Sequence, residues 1–433
     1  MSVFTETFGF SRSATIAAIV FSALVVVAAV SWFIYSAPPR TLTITSGPSG
    51  STFQRNAEKY RDLLASNGVT LKILPSQGSI ENLQRLTDPS VAVDLGFVLT
   101  GESKPADAAK LYSLGSVAYQ PLLIFYRSTT PMDVLSELAG KRLAVGPEGS
   151  GVRTLAMALL QTNGLSLSGP TVFLDMDAEA AAKGLLDGTV DAAFMMGDSA
   201  SGQTMRALLH SSSIQIFDFA QAPAYTRRFG FLNRLELPRG SIDFGRDLPS
   251  HDINLIGPTV ELVARPSLHP ALCDLLLEAV RQVHGQATLL QKRGEFPAAL
   301  EHELPISPDA SRYYKSGKSF FYRSLPFWLA SLVNRVLVAF LPMLLVLIPG
   351  LRLIPAAYKW RMQLTIYRWY RALLKVERDL AGGMTDAKRG SLRHRLDQIE
   401  RSVNQLKVPA SFAGQFYGLR EHVGIVRNRL RNA

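Results

Sequence analysis

Between residues 41 and about 310 the chain switches repeatedly between two hydrophobic periods, and this alternation restricts its fold more than any other feature. TLTITS, VTLKILP, VAVDLGFVL, QPLLIFYR, KRLAVGP, PTVFLD, VDAAFMM and ELVAR read as strands. QRNAEKYRDLLASNG, SIENLQRL, VRTLAMALLQTNG, AEAAAKGLLDG and HPALCDLLLEAVRQVHG, lying among them, carry the spacing of helices. Strands alternating with helices argue for parallel α/β sheets. Roughly 270 residues are large for one sheet, so two lobes are expected.

The flanks differ in kind. Residues 351–433 hold 17 Lys/Arg against 6 Asp/Glu, so the whole formal charge of +11 sits in that tail. Residues 14–35, ATIAAIVFSALVVVAAVSWFIY, are free of charge and long enough for a hydrocarbon core of about 30 Å. Tyr35 stands where a signal-peptide cleavage site needs a small residue, which favours an uncleaved anchor. A second apolar run, VLVAFLPMLLVLIPGL, follows Arg335, and Phe320, Phe321, Tyr322, Phe327 and Trp328 upstream suit an interfacial belt. Arg352, Lys359, Arg361, Arg368 and Arg371 then place the tail inside a cell, with both termini cytoplasmic. The basic tail therefore needs no nucleic acid to explain it.

Three apolar seams run through the tail. Ile366, Trp369, Leu373, Val376 and Leu380 form the first; Leu392, Leu396, Ile399, Val403 and Leu406 the second. Phe412, Phe416, Leu419, Val423, Val426 and Leu430 form the third, and a three-helix bundle is expected, either as a self-packed foot or as a docking element.

Three polar loops precede helices in the alternating region: TSGPSGSTF at 45–53, PSQGS at 75–79 and GPEGSGVR at 146–153. Each offers backbone N–H groups, hydroxyls and small residues, at the strand ends where such sheets bind ligands. The first is no nucleotide loop, because no Lys-Ser or Lys-Thr follows its second glycine. Each alone reads as an ordinary helix cap; together they point to a cleft for a carboxylate or other anion. The candidate ligand-binding residues are Ser46, Gly47, Ser49, Gly50, Ser51, Thr52, Phe53, Gln77, Gly78, Ser79, Asn82, Gly149, Ser150, Gly151, Arg153 and Gly197.

In order, TSGPSGSTF, QGSIENLQRL, DLGFVLTG, KRLAVGPEGSGVRTLAMALL and GTVDAAFMMGD resemble the TAXI solute-binding proteins of tripartite ATP-independent periplasmic (TRAP) transporters, over roughly residues 41–300. Thr52-Phe53 replaces the Tyr-Tyr pair common in that family, and Tyr119-Gln120-Pro121 replaces its Pro-Glu-Pro. The resemblance implies a two-lobed type II periplasmic-binding fold closing on a small organic acid or amino acid, with TRAP permease subunits as partners. The full expectation is that α/β fold flanked by two transmembrane helices and a cytoplasmic helical bundle, in a bacterial inner membrane. It divides the chain into a cytoplasmic N-terminus (1–13), a first span (14–35) and an extracytoplasmic solute-binding domain (38–310). An interfacial aromatic segment (311–335), a second span (336–356) and a basic cytoplasmic bundle (357–433) follow. Lobe 1 takes about 41–126 and 252–310, and lobe 2 about 127–251.

The alternative function is a transmembrane sensor that signals through the bundle to a cytoplasmic partner. An enzyme is not expected, because there is no GxSxG elbow, no HExxH and no Cys-His pairing. No cofactor or metal is expected: Cys273 stands alone in an apolar helix, and Asp175, Asp177 and Asp198 read as solvated loop residues.

Overall fold

Strand β1 (Thr41–Thr45) of the computed structural model buries Leu42 and Ile44 almost completely, as a period of two requires. Helix α1 (Thr52–Ala65) follows, capped by Ser51, whose hydroxyl accepts from Gln54 N. It buries Phe53, Ala57, Tyr60 and Leu64, one stripe at helical spacing. At about 1.5–3 kcal/mol per large apolar side chain, that stripe contributes more than any propensity term. The order continues through β2 (Thr70–Leu74), α2 (Ser79–Thr87), β3 (Leu95–Leu99), β4 (Tyr112–Tyr119) and β5 (Leu123–Tyr126). Next come β6 (Arg142–Ala144), α3 (Gly151–Thr162), β7 (Val172–Leu174), α4 (Ala178–Asp187) and β8 (Ala192–Met195). After them stand α5 (Gly202–Leu209), β9 (Gln215–Ile216), α6 (Ala222–Arg228), β10 (Leu232–Leu237), β11 (Ile253–Ala264), α7 (Pro270–His284), α8 (Pro308–Ser316) and α9 (Phe320–Ser324). The described residues are 20, 23, 24, 27, 28, 30–107, 109–211, 213–318, 320–382, 386–406, 408 and 412–432.

Two sheets form the unit Ala37–Val333. In the first, β2, β1 and β3 run parallel, β11 lies antiparallel to β3, and β4 lies antiparallel to β11. In the second, β7, β6 and β8 run parallel, β5 is reversed against β8, and β9 pairs β5. The two sheets thus repeat one topology, each with a single reversed strand. The chain passes between the lobes from β4 into β5 and returns along β11. There the two crossing segments touch: Gln120 N donates to Pro258 O (2.9 Å) and Leu122 N to Ile256 O (2.9 Å). Gly257 is required by that approach, since a Cβ would run into the Gln120 carbonyl. These are two mixed α/β lobes.

In the unit of Met1–Ser36 with Asn334–Ala433, the tail seams do pack together. Helices α10 (Phe327–Ala381), α11 (Asp386–Asn404) and α12 (Ala413–Asn432) share a core of Ile366, Leu373, Val376, Leu392, Leu396, Ile399, Val403, Leu419, Val423, Val426 and Leu430.

The flanking transmembrane helices must be corrected. Among the described residues no helix is long and apolar enough to cross a membrane. Residues 14–19, 21, 22, 25, 26 and 29 of the first expected span lie outside the described set. In the second, Arg335 and Arg352 bracket an uncharged run of 16 residues. That is about 24 Å of helix against about 30 Å of hydrocarbon. Arg335 donates to the Phe33 carbonyl at 3.0 Å. Three of the five aromatics expected in an interfacial belt serve the protein core instead: Phe327 is 7% exposed, with Tyr322 and Trp328 packed on the same cluster, while Phe320 is exposed. Arg40 stacks over Trp328 at 5.2 Å. The membrane anchoring, the two-span topology and the transmembrane sensor lose their support with the spans.

Candidate functional site

The three glycine-serine loops meet in the unit of the two sheets, and they meet a fourth loop, 196–201, that follows β8. Thr52 N donates to Gly197 O at 2.8 Å, and Ser51 forms an antiparallel bridge with Ser201. Glu81 N donates to Gly149 O at 3.2 Å, tying the start of α2 to the loop before α3. Loops from both sheets therefore close on one another. Gly50 sits in the first loop at φ +77°, where a Cβ would be strained and would lie 3.3 Å from Ser201 Cβ. At Gly197 a Cβ would press on Gln120 Nε2 and Thr52 Oγ1, both at 2.7 Å.

The centre of this meeting is a carboxylate. Asp198 is wholly buried, and its Oδ2 accepts from Gly151 N, the first residue of α3, at 3.0 Å. Its carboxylate also accepts from the Ser199 hydroxyl at 2.9 Å, and a Cβ on Gly78, the residue before α2, would lie 2.8 Å from its Oδ2. The N-terminus of α3, with its orphan amides and positive dipole end, thus points at this acid, and the start of α2 packs beside it. Burial nevertheless pushes Asp198 up to about 6, against the lowering effect of those hydrogen bonds. Glu102 lies next to it: Ser79 Oγ donates to its Oε2, while Leu99 N donates to Ser79 Oγ at 2.7 Å. Burial first, then the nearby charges of Asp198 and Glu303, raise Glu102 to about 8 despite the Ser79 bond. Glu303 in turn accepts from Gly101 N at 3.0 Å.

The candidate residues divide by what they touch. Gly47, Gly78, Ser79, Gly151 and Gly197 surround Asp198 or its chain neighbours. Gly50, Ser51 and Thr52 hold the first loop against the fourth. Ser46 is fully buried, and its hydroxyl donates to Gln54 Oε1 at 2.9 Å. Asn82 has no capacity left for a ligand: its amide donates to Ser46 O and Phe97 O, and its oxygen accepts from Thr45 and Ser76. It pins two loops to β3. Phe53 turns into the core and stacks on Phe97 at a centroid distance of 5.0 Å. Ser49 and Gln77 are exposed.

Ser150 acts as the cap of α3, accepting from Arg153 N and donating to Pro147 O. Arg153 points elsewhere, donating to Gly146 O (3.1 Å) and pairing with Asp175 (3.5 Å). With Gly149, Ser150 and Glu81 it lines a separate open groove of about 680 Å³ between α2 and α3. Asp177 caps α4 through Ala180 N. Among the described residues no group of His, Cys, Asp and Glu could hold a metal ion.

Asp198 and Glu102 escape a search for glycine loops. The signal that finds them is position: each stands just past the C-terminal end of a buried strand, β8 or β3, where α/β sheets present ligand-facing groups. The hydroxyls around them drew attention first because they repeat; a lone acid after an apolar run does not.

Residues 55–316 match the model of the NMT1-like family. No curated protein matches the chain. Among solved structures, the periplasmic aliphatic sulphonate binding protein SsuA from Escherichia coli is 16% identical, with 57% of this chain and 71% of that one covered at a TM-score of 0.35. The substrate binding protein of an amino acid ABC transporter is 11% identical, covering 56% of this chain and 92% of that one at a TM-score of 0.35. Likenesses this distant carry nothing about ligand or partner.

Proposed function

The chain belongs to the NMT1-like family, and on that premise we propose that it is an extracytoplasmic solute receptor whose two lobes close on a small organic acid or amino acid. It is a receptor rather than an enzyme. The observation that carries this reading is the convergence of the starts of α2 and α3 on one buried anion position, where Gly151 N donates to Asp198 and Gly78 packs against the same carboxylate. Backbone amides at a helix start bind a carboxylate without needing a cation or a reaction. The order of the loop motifs supports a TAXI-type receptor, and TRAP permease subunits are the partners that this reading names.

Scanning fluorimetry of the chain against a panel of organic acids and amino acids tests it. A cognate solute at 100 times its dissociation constant stabilises the fold by about 2.7 kcal/mol. A panel without a single thermal shift would count decisively against a solute receptor of this class.

A further inference from the structure

We infer that the outward face of α10 between Trp360 and Arg378 is a lipid-surface site. It lies flat on anionic headgroups without crossing the bilayer, and it acts independently of any solute held by the lobes.

Helix α10 is two-sided along this stretch. Ile366, Trp369, Leu373, Val376 and Leu380 turn into the core shared with α11 and α12. A second strip is centred about 170° away around the same helix. Trp360, Leu364, Tyr367 and Leu374 form one edge of it, and Arg361, Arg368 and Lys375 form the other. Arg371 and Arg378 lie between the two edges. Every one of these side chains is exposed, Trp360 at 66% and Tyr367 at 55%. The strip runs about 27 Å along the helix.

The charges of α10 are sorted in the same way. Glu377 turns to α12, meeting Arg429 at 2.6 Å and His422 at 3.4 Å. Asp379 turns to Arg395 of α11 at 3.7 Å. Acids therefore face the bundle, while the five bases of the strip pair with no carboxylate among the described residues.

This pattern selects the occupant. A second copy laid on the strip would bring five cations against five, which like-charge repulsion opposes. Nucleic acid would satisfy the bases and leave Trp360, Leu364, Tyr367 and Leu374 in water. An anionic bilayer surface takes both edges at once. Its phosphates meet the bases on their long stems, and the apolar edge enters the boundary beneath the headgroups. Trp and Tyr favour that depth. The excess positive charge of residues 351–433 thereby gains a role that requires no span.

The test compares the full chain with two triple variants. One carries Arg361→Gln, Arg368→Gln and Lys375→Gln; the other carries Trp360→Ser, Leu364→Ser and Tyr367→Ser. All six side chains are exposed, so the bundle core is left intact, and far-ultraviolet circular dichroism checks its helices. Cosedimentation is measured with phosphatidylcholine vesicles and with vesicles containing about 30% phosphatidylglycerol. Anisotropy of a labelled single-stranded DNA oligonucleotide is read in parallel. The unaltered chain should partition at least tenfold more strongly onto the anionic vesicles, and raising salt from about 0.1 M to about 0.5 M should erase most of that preference. Each triple variant should lose at least tenfold in partition. Equal partition onto both vesicle types overturns the site, and so does binding that survives either set of substitutions. DNA binding that the glutamine variant loses, with no vesicle binding by the unaltered chain, overturns it in favour of nucleic acid.

Discussion

The helical tail and the junction of the lobes are both tightly packed, yet they are specified in opposite ways. In the tail, Leu373, Leu396 and Leu419 sit in three successive helices and meet through stripes visible at spacings of three and four. Its charges stay at the surface and pair there: Arg427 reaches Asp397 at 2.8 Å, and Arg429 reaches Glu377 at 2.6 Å. At the junction polar groups meet instead: Asp198, Glu102 and Ser79 crowd around the start of α3, with Leu99 beside them. Asp198 and Glu102 are buried there without a cation. One region stores its stability in apolar area; the other accepts an electrostatic cost to keep hydrogen-bonding groups facing each other.

That contrast is broken most forcefully in the tail's core. Leu373 and Leu419 are fully buried, so Leu373→Ala and Leu419→Ala should each destabilise the bundle by about 2–5 kcal/mol through lost transfer energy and a residual cavity. Hydrogen exchange along α10–α12 in the full chain reads this loss. Exchange as slow as in the unaltered chain would mean the seams are decorative.

Next in size is a pH effect that only the lobes should show. Glu102 and Glu261 are both held near 8 by burial, whereas an unfolded Glu titrates near 4.5. Their folded forms hold protons that the unfolded chain has released, so stability is full below the unfolded value and is lost as pH rises towards 8. His284, pushed down to about 4 by burial against Tyr60, acts oppositely, losing stability as pH falls below 6.5. The window from pH 6.5 to 8 therefore isolates the carboxyls. Each should contribute about 1–2 kcal/mol of falling stability across it. Glu102→Gln keeps the hydrogen bond to Ser79 and should remove roughly half of that slope. Thermal melts that keep the same slope in Glu102→Gln would show that Glu102 is not the group being titrated.

A smaller effect belongs to the first loop. Gly50 has φ +77°, and any L side chain there costs about 1–3 kcal/mol. Gly50→Ala and Gly50→Val should be nearly equal if backbone strain dominates. If the 3.3 Å approach to Ser201 Cβ dominates, Val should cost clearly more than Ala. Urea titration of both variants separates the two causes, and two unaltered midpoints would dismiss both.

Much of this molecule could be read before it was seen, but unevenly. The runs TLTIT, TLKIL, LGFVL, LIFY, RLA, VFL and AAFM are strands β1, β2, β3, β5, β6, β7 and β8, because β-branched and apolar residues in short runs have few alternatives. Strand β4, YSLGSVAY, hides behind its glycine and serines; Gly115 lies where Tyr314 Oη crowds in, a requirement set by a residue far along the chain. Strand β10, LNRLEL, is half polar and is a strand because β11 pairs with it. The tail seams were legible since a helix compares residues only a turn apart. Asp198 was not, since its backbone donor comes from Gly151, 47 positions away, and nothing near Asp198 in sequence announces it. Phe53 shows the same limit from the other side: it belongs to a loop motif by sequence, and to the Phe97 stack by the direction α1 takes.

The smallest expected effect tests whether tail charges matter at all. Arg427 of α12 donates to Asp397 and Glu400 of α11, and its side chain remains 41% exposed. A half-exposed ion pair gains little, because water and salt screen the charges and two long side chains lose freedom on pairing. Arg427→Ala should therefore cost only about 0.2–1 kcal/mol, and 1 M salt should shrink the difference further. Its stem also covers some apolar surface, which salt does not screen, so the part surviving at high salt measures packing rather than charge. A loss well above 1 kcal/mol that salt leaves intact would place this contact with the buried acids of the lobes. The division between an apolar tail and an electrostatic junction would then fail at its weakest point.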